Sequence, residues 1–281
     1  MPDFAADAER LAAIALAEDG PRDVTSDVTV ADAARGTGQL EFRGSGVLAG
    51  LIYAEAVARA CDCRVSWQAR EGAHLAGHAV IGTVTGPLGP LLRGERPLLN
   101  LLQRASGVAT ATHAYVAAVA GTPARILHTR KTAPGLRLLD VAGVLAGGGA
   151  PHRLDLSHTV MVKDNHWQAL SAQGKTLRAA LLEARQRGVQ GLQVEVESEA
   201  QLRRACEAGA TRLLLDNQSP ETVHRWATLA RELAPGVEIE ATGGITLDNV
   251  RAYALSGADF ISVGALTHSV KAADIALEIT T

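Results

Sequence analysis

Between His128 and His166 the chain concentrates basic side chains suited to holding a polyanion: Arg130 next to Lys131, His152 next to Arg153, and Lys163. Guanidinium groups grip carboxylates and phosphates through two parallel hydrogen bonds, whereas ammonium groups act as point charges. A Gly147-Gly148-Gly149 run separates the first two pairs and reads either as a helix stop or as a loop that turns His152 and Arg153 inward. Carboxylates follow further along: Glu195 with Glu197, then Asp216, then Glu240. Glu195 and Asp216 are candidate ligands for a divalent ion, and an oxygen-only set beside a phosphate favours magnesium or manganese over zinc. Two other readings of the same residues stay open. The charges could neutralise one another as structural ion pairs, or Lys131 could act as a Schiff-base nucleophile.

These residues need elements to carry them. From Ala124 onward, short apolar runs at 126–129, 159–162, 192–196, 212–215, 237–241 and 260–263 read as strands. Helical segments at 176–187, 198–208, 220–233 and 247–256 lie between the later ones, with Ser219-Pro220 and Thr246 as start signals. Strands alternating with helices predict a parallel sheet, open or closed into a reduced barrel. Each run ends in a polar or glycine residue: Thr129-Arg130-Lys131, Lys163, Glu195, Asp216, Thr242-Gly243-Gly244 and Gly264. Ligands bind at the carboxyl ends of such strands, so these side chains are predicted to share one mouth. Thr242-Gly243-Gly244 and Gly264 through His268 read as phosphate loops, with backbone N–H groups and a following helix facing an anion. His128, His158 and His166 read as hydrogen-bonded structural histidines.

The first part of the chain has a different rhythm. A helix over 3–19, a polar turn at 23–27, glycine-broken strands over 37–49, a helix over 51–61 and further strands to about residue 84 suggest a small α/β unit. A helix near 97–120 hands over to the second part. The expected domains are 1–112 and 113–267, with 268–281 packing back on the first.

Length and composition narrow the possibilities. At 281 residues and 47% apolar content the chain can fill a substantial core. A net charge of −3 and 3% aromatic residues argue against general nucleic-acid binding. No apolar stretch is long enough to span a membrane. Cys61, Cys63 and Cys206 form neither a paired framework nor a zinc spacing, which points to a reducing, cytoplasmic setting.

Taken in order, several motifs resemble the quinolinate phosphoribosyltransferase family over nearly the whole chain. They are Asp23-Val24-Thr25-Ser26, Gly46 to Gly50, Glu95-Arg96-Pro97, Thr129-Arg130-Lys131-Thr132, the glycine run with His152-Arg153, and Lys163-Asp164-Asn165-His166. Glu195-Val196-Glu197, Leu215-Asp216-Asn217, Gly243-Gly244-Ile245 and Leu266-Thr267-His268-Ser269 complete the set. The resemblance implies an N-terminal α/β sandwich followed by an irregular, reduced α/β barrel, working as at least a dimer. It implies transfer of phosphoribosyl from 5-phosphoribosyl-1-diphosphate to quinolinate with decarboxylation, in NAD synthesis, with Mg2+. It further implies that Arg130, His152, Arg153 and Lys163 hold quinolinate, with Arg96 supplied by a partner subunit, and that Lys131 lies between the two substrates. Glu195 and Asp216 would meet ribose and metal, and Thr242, Gly243, Gly244, Gly264 and His268 the phosphate. The chain departs from the family pattern at His128 (usually Asp), Thr242 (usually Ser), His158 (usually an acid) and residues 139–143. A related branch, associated with molybdate transport and acting on a different substrate, shares much of this pattern and is the alternative within the same chemistry.

Overall fold

The computed structural model describes residues 2–280. The chain divides into two compact units, one comprising residues up to His113, 131–149 and Leu266 onward, the other 114–130 and 150–265.

In the first unit, α1 (Phe4–Glu18) is capped by Asp3, whose side chain accepts the Ala6 N–H. The polar stretch expected to be a turn is a short helix, α2 (Val24–Thr29), because Asp23 accepts from the N–H groups of both Thr25 and Ser26. Those bonds, with the Ser26 hydroxyl first among them, lower the Asp23 carboxyl below its usual range. Strands β1 (Arg35–Phe42) and β2 (Gly46–Val47) precede α3 (Leu51–Ala60), and β3 (Arg64–Trp67), β4 (His74–Leu75) and β5 (Ala79–Pro87) follow. Helix α4 (Leu88–Ala118) starts well before the expected position and runs through Pro97. The division between the units falls inside it, after His113.

Further along the chain come β6 (Arg125–Leu127), α5 (Arg137–Ala146), β7 (Thr159–Val162), α6 (Asp164–Ala172), α7 (Leu177–Gln186), β8 (Gly191–Val196) and α8 (Glu199–Ala208). After them come β9 (Arg212–Asp216), α9 (Pro220–Leu233), β10 (Glu238–Thr242), α10 (Val250–Leu255), β11 (Phe260–Ser262), α11 (Ala265–His268) and β12 (Ile275–Thr280). The first unit's main sheet runs β12-β1-β5-β3, with β12 antiparallel to β1 from Thr37–Thr280 to Phe42–Ile275. The C-terminal strand thus belongs to the N-terminal unit.

The units are not separated by a single cut near residue 112, because 131–149 also belongs to the first. Helix α5 lies against α4 there: a Cβ on Gly143 would stand 2.7 Å from the Ala105 carbonyl oxygen, and one on Gly147 2.4 Å from that of Ala109. Only glycine allows this backbone approach. Gly147 is also the C-cap of α5, so the glycine run is a helix stop. Buried Asp140 on α5 accepts from Arg104 Nε and Nη2 at 2.8 and 2.9 Å. Burial raises the Asp140 carboxyl above its usual range and the guanidinium opposes that shift.

The second unit is a parallel six-stranded sheet in the order β6-β11-β10-β9-β8-β7. Around this order each strand neighbours its sequence successor, as in an α/β barrel, with β6 and β7 left unpaired with each other. Ala150 takes up the free edge of β6: it bridges to Leu127 in parallel, and its N–H donates to the Ile126 carbonyl at 2.8 Å. Leucine, isoleucine and valine fill the strands, including the fully buried Leu192, Val194, Leu213, Leu215, Ile239 and Ile261. Among the described residues no helix is long and apolar enough to cross a membrane.

Candidate active site

Parallel strands bring their carboxyl ends to the same side of the sheet, so the register decides which side chains meet in the second unit. Glu195 is opposite Leu214, and Asp216 is directly opposite Thr242. Lys163 follows β7 as the N-cap of α6, and its ammonium is ion-paired with the Glu195 carboxylate. Trp167 on α6 donates its indole N–H to the Glu195 carbonyl at 2.9 Å and fixes that end of β8. His166 is structural, as expected: its Nδ1 accepts the Lys163 N–H at 3.1 Å and closes the first turn of α6.

Arg130 and Arg153 come together through the Ala150 bridge. His152 N–H donates to Nε2 of fully buried His128 at 3.0 Å, so the strip holding His152 and Arg153 is laid along the exit of β6. The departure at His128 therefore supplies a side-chain acceptor for the His152 backbone N–H. Burial lowers the Arg153 pKa first, and the Arg130 charge lowers it further. Arg130 Nε is buried and has no hydrogen-bond partner among the described residues. Two guanidiniums close enough to oppose each other's charge, one with an unused buried donor, form a receptor for an anion carrying two negative groups.

The Thr242-Gly243-Gly244 loop holds two consecutive left-handed glycines, φ +84° and +62°. A Cβ on Gly243 would come within 2.3 Å of the Asn217 amide oxygen, and the Asn217 N–H donates to the Thr242 carbonyl at 2.9 Å. The loop is thus tied to the end of β9, and at Gly244 nothing lies within 4 Å of where a Cβ would stand. The helix expected at 247–256 begins only at Val250, because Asn249 accepts the Thr246 N–H at 2.8 Å and holds a preceding turn. Both α10 and α11 are short, so the helix-end part of the phosphate-loop expectation does not hold; the glycine backbone part does. Gly264 follows β11 in this unit.

Three of the expected site residues lie outside this unit. Lys131, Arg96 and His268 belong to the first unit, where Arg96 is exposed on α4 and His268 Nδ1 is 2.6 Å from the Ser269 hydroxyl. Within that unit Arg104 Nη2 donates to the Thr267 carbonyl at 3.2 Å, and the Thr267 hydroxyl donates to the Lys131 carbonyl at 2.8 Å, which places both segments. His158 is exposed and pairs with Asp155 at 3.2 Å within its own loop.

Comparison with known proteins follows this geometry. The model of the quinolinate phosphoribosyl transferase N-terminal domain matches residues 23–106, and that of the C-terminal domain matches 108–278. The nicotinate-nucleotide pyrophosphorylase [carboxylating] of Homo sapiens is 44% identical over 241 residues, covering 84% of this chain and 80% of that protein. The chain belongs to the quinolinate phosphoribosyltransferase family. The nicotinate-nucleotide pyrophosphorylase [carboxylating] of Mycobacterium leprae is 39% identical over 262 residues, covering 92% of this chain and 91% of that protein. Among solved structures, the nicotinate-nucleotide pyrophosphorylase from Francisella tularensis superposes with a TM-score of 0.90 at 31% identity, covering 100% of this chain and 98% of that one. NadC from Streptococcus pyogenes superposes with a TM-score of 0.88 at 32% identity, covering 96% and 95%.

For a member of this family, the arrangement has one further part that strand ends alone do not disclose. Glu240 sits inside β10, is 1% exposed and takes hydrogen bonds from three elements. The sequence holds a signal for it: Glu240 is a charged residue between the apolar Ile239 and Ala241 in the middle of a strand.

Proposed function

We propose that this chain transfers the phosphoribosyl group of 5-phosphoribosyl-1-diphosphate to quinolinate with loss of CO2, giving nicotinate mononucleotide and diphosphate. The observation that carries it within the family is the Arg130–Arg153 pair. Two half-buried guanidiniums whose charges oppose each other match the two adjacent carboxylates of a pyridine dicarboxylate, and a monoanionic acceptor would leave one of them uncompensated. Fixing both carboxylates orients the ring nitrogen for attack and holds the carboxylate that departs, once the ring has become a cationic electron sink. Lys163 adds a point charge on the same side. His152, between the glycine stop and Arg153, completes the acceptor half, and Arg96, exposed on α4, is the residue a partner subunit of a homodimer would supply.

The donor half uses the carboxylates. As diphosphate leaves, positive charge builds on the ribose, and Glu195 and Asp216 at adjacent strand ends are placed to stabilise it and to receive the ribose hydroxyls. Thr242, Gly243, Gly244 and Gly264 present backbone and hydroxyl donors to phosphate. A magnesium ion fits this donor set only in part. Glu195 already neutralises Lys163, and no group of three or more His, Cys, Asp or Glu that could hold a metal occurs among the described residues. Glu195 and Asp216 would hold Mg2+ together with substrate oxygens and water. When bound, it would neutralise the diphosphate leaving group. The three cysteines, free and buried, support a cytoplasmic setting.

The test is a steady-state assay with quinolinate, 5-phosphoribosyl-1-diphosphate and Mg2+. Diphosphate and CO2 should appear in equal amounts, only with both substrates, and EDTA should abolish the turnover until Mg2+ is restored. Diphosphate release that depends on another pyridine or purine acid and not on quinolinate would overturn the reading in favour of the molybdate-associated branch.

A further inference from the structure

Glu240 is a carboxylate 1% exposed within a strand whose neighbours on either side are apolar. An isolated charge there would be far too costly, so its partners account for its presence. Its Oε1 accepts from the Ser262 hydroxyl at 2.5 Å, and its Oε2 takes Arg212 Nη1 at 3.2 Å and His152 Nε2 at 3.3 Å. Burial would push the carboxyl up, but the His152, Ser262 and Arg212 interactions outweigh it and hold the group below its usual range, so it is ionised.

The three partners differ in what they can do. Arg212 is fixed on both sides, 2.8 Å from Glu238 and with its guanidinium carbon 3.9 Å over the Phe260 ring. Ser262 is a buried residue of β11. Only His152 belongs to the acceptor half-site, and its side chain is 6% exposed. Its backbone is held by His128 and its ring by Glu240, and Arg153 is the next residue. Glu240 also places a negative charge near Arg153, opposite in effect to the neighbouring Arg130.

We propose that Glu240 is the positioning residue of the acceptor site. From within the barrel wall it fixes the His152 ring and thereby the strip that presents Arg153, and it offsets the charge of the two arginines while no substrate is bound. It touches no substrate, and its effect is confined to the quinolinate side; the donor half, built on Glu195, Asp216 and the glycine loop, does not depend on it. This inference rests on the reading that quinolinate is the acceptor.

Kinetics of the full-length protein test it. Glu240→Gln keeps the shape but turns an acceptor into a donor facing His152 and Arg212. It is expected to raise the quinolinate KM at least about tenfold, the worth of one charge-assisted hydrogen bond, while the 5-phosphoribosyl-1-diphosphate KM stays within about twofold. Glu240→Asp, which keeps the charge, should recover part of the loss. A general loosening of the barrel would move both KM values together, and that result overturns the proposal. So does an active wild type with a Glu240→Gln quinolinate KM unchanged, and so does a Glu240→Asp enzyme with wild-type quinolinate KM if Glu240→Gln does not fold. A wild type with no quinolinate-dependent turnover removes the acceptor assignment itself, and this inference with it.

Discussion

Replacing Arg153 with alanine should lower kcat/KM for quinolinate by on the order of 10²–10³, because leaving a bound carboxylate without its hydrogen-bonded charged partner typically costs about 2–5 kcal/mol. Arg153→Lys keeps the charge but loses the fork and should recover only part of the activity. Stability should move the other way. In the free protein Arg153 is penalised by burial and then by Arg130, so Arg153→Ala should unfold at a temperature equal to or above that of wild type. Quinolinate at about 100 times its Kd should stabilise wild type by roughly 2.7 kcal/mol and the variant hardly at all. Thermal unfolding with and without quinolinate reads both effects. A variant that is both inactive and much less stable would make Arg153 a structural ion-pair residue instead of a ligand group. This opposition of activity and stability is what a site held in a strained, charge-rich state produces.

Glu195→Gln should have a comparable total effect with a different kinetic signature. Its carboxylate is ion-paired with Lys163 and its backbone is pinned by Trp167, so the amide should keep the fold while removing the charge that meets the developing positive ribose. We expect kcat to fall by on the order of 10²–10³ with the quinolinate KM changed by less than about threefold, as for loss of a preorganised electrostatic contact used in the transition state. Rapid-quench measurement of the chemical step separates this from slow product release. An unchanged kcat would show that Glu195 only neutralises Lys163.

Much of this was legible in the sequence because the relevant physics is local. Six apolar runs ending in polar or glycine residues give the parallel strands and their ends, and Ser219-Pro220 fixes the start of α9 to the residue. Other elements escaped for identifiable reasons. Helix α6 (DNHWQALSA) buries none of its residues, so it shows no apolar stripe; its start depends on His166 folding back on the Lys163 N–H. Helix α5 is apolar nearly all round and contains Gly143, which reads as a break but is the packing contact with α4. Helix α10 is shortened because the Asn249 side chain accepts the Thr246 N–H and holds a turn ahead of the helix. In the site, the residue types at the strand ends could be read directly. The pairing of Arg130 with Arg153 could not, since it needs Ala150 to bridge to Leu127 across the intervening segment. Glu240 itself could be read among the carboxylates, but its three partners could not: they come from β9, β11 and the strip after the glycine run, and only the register shows that they converge.

The central claim is that Arg130 and Arg153 together receive the two carboxylates of the acceptor. A crystal structure with quinolinate bound tests it most directly. One carboxylate should lie about 3 Å from the Arg130 guanidinium, engaging the now unpartnered Nε, and the other at the same distance from Arg153. Quinolinate bound out of reach of both arginines, or held by only one of them with the second carboxylate in solvent, would contradict the account.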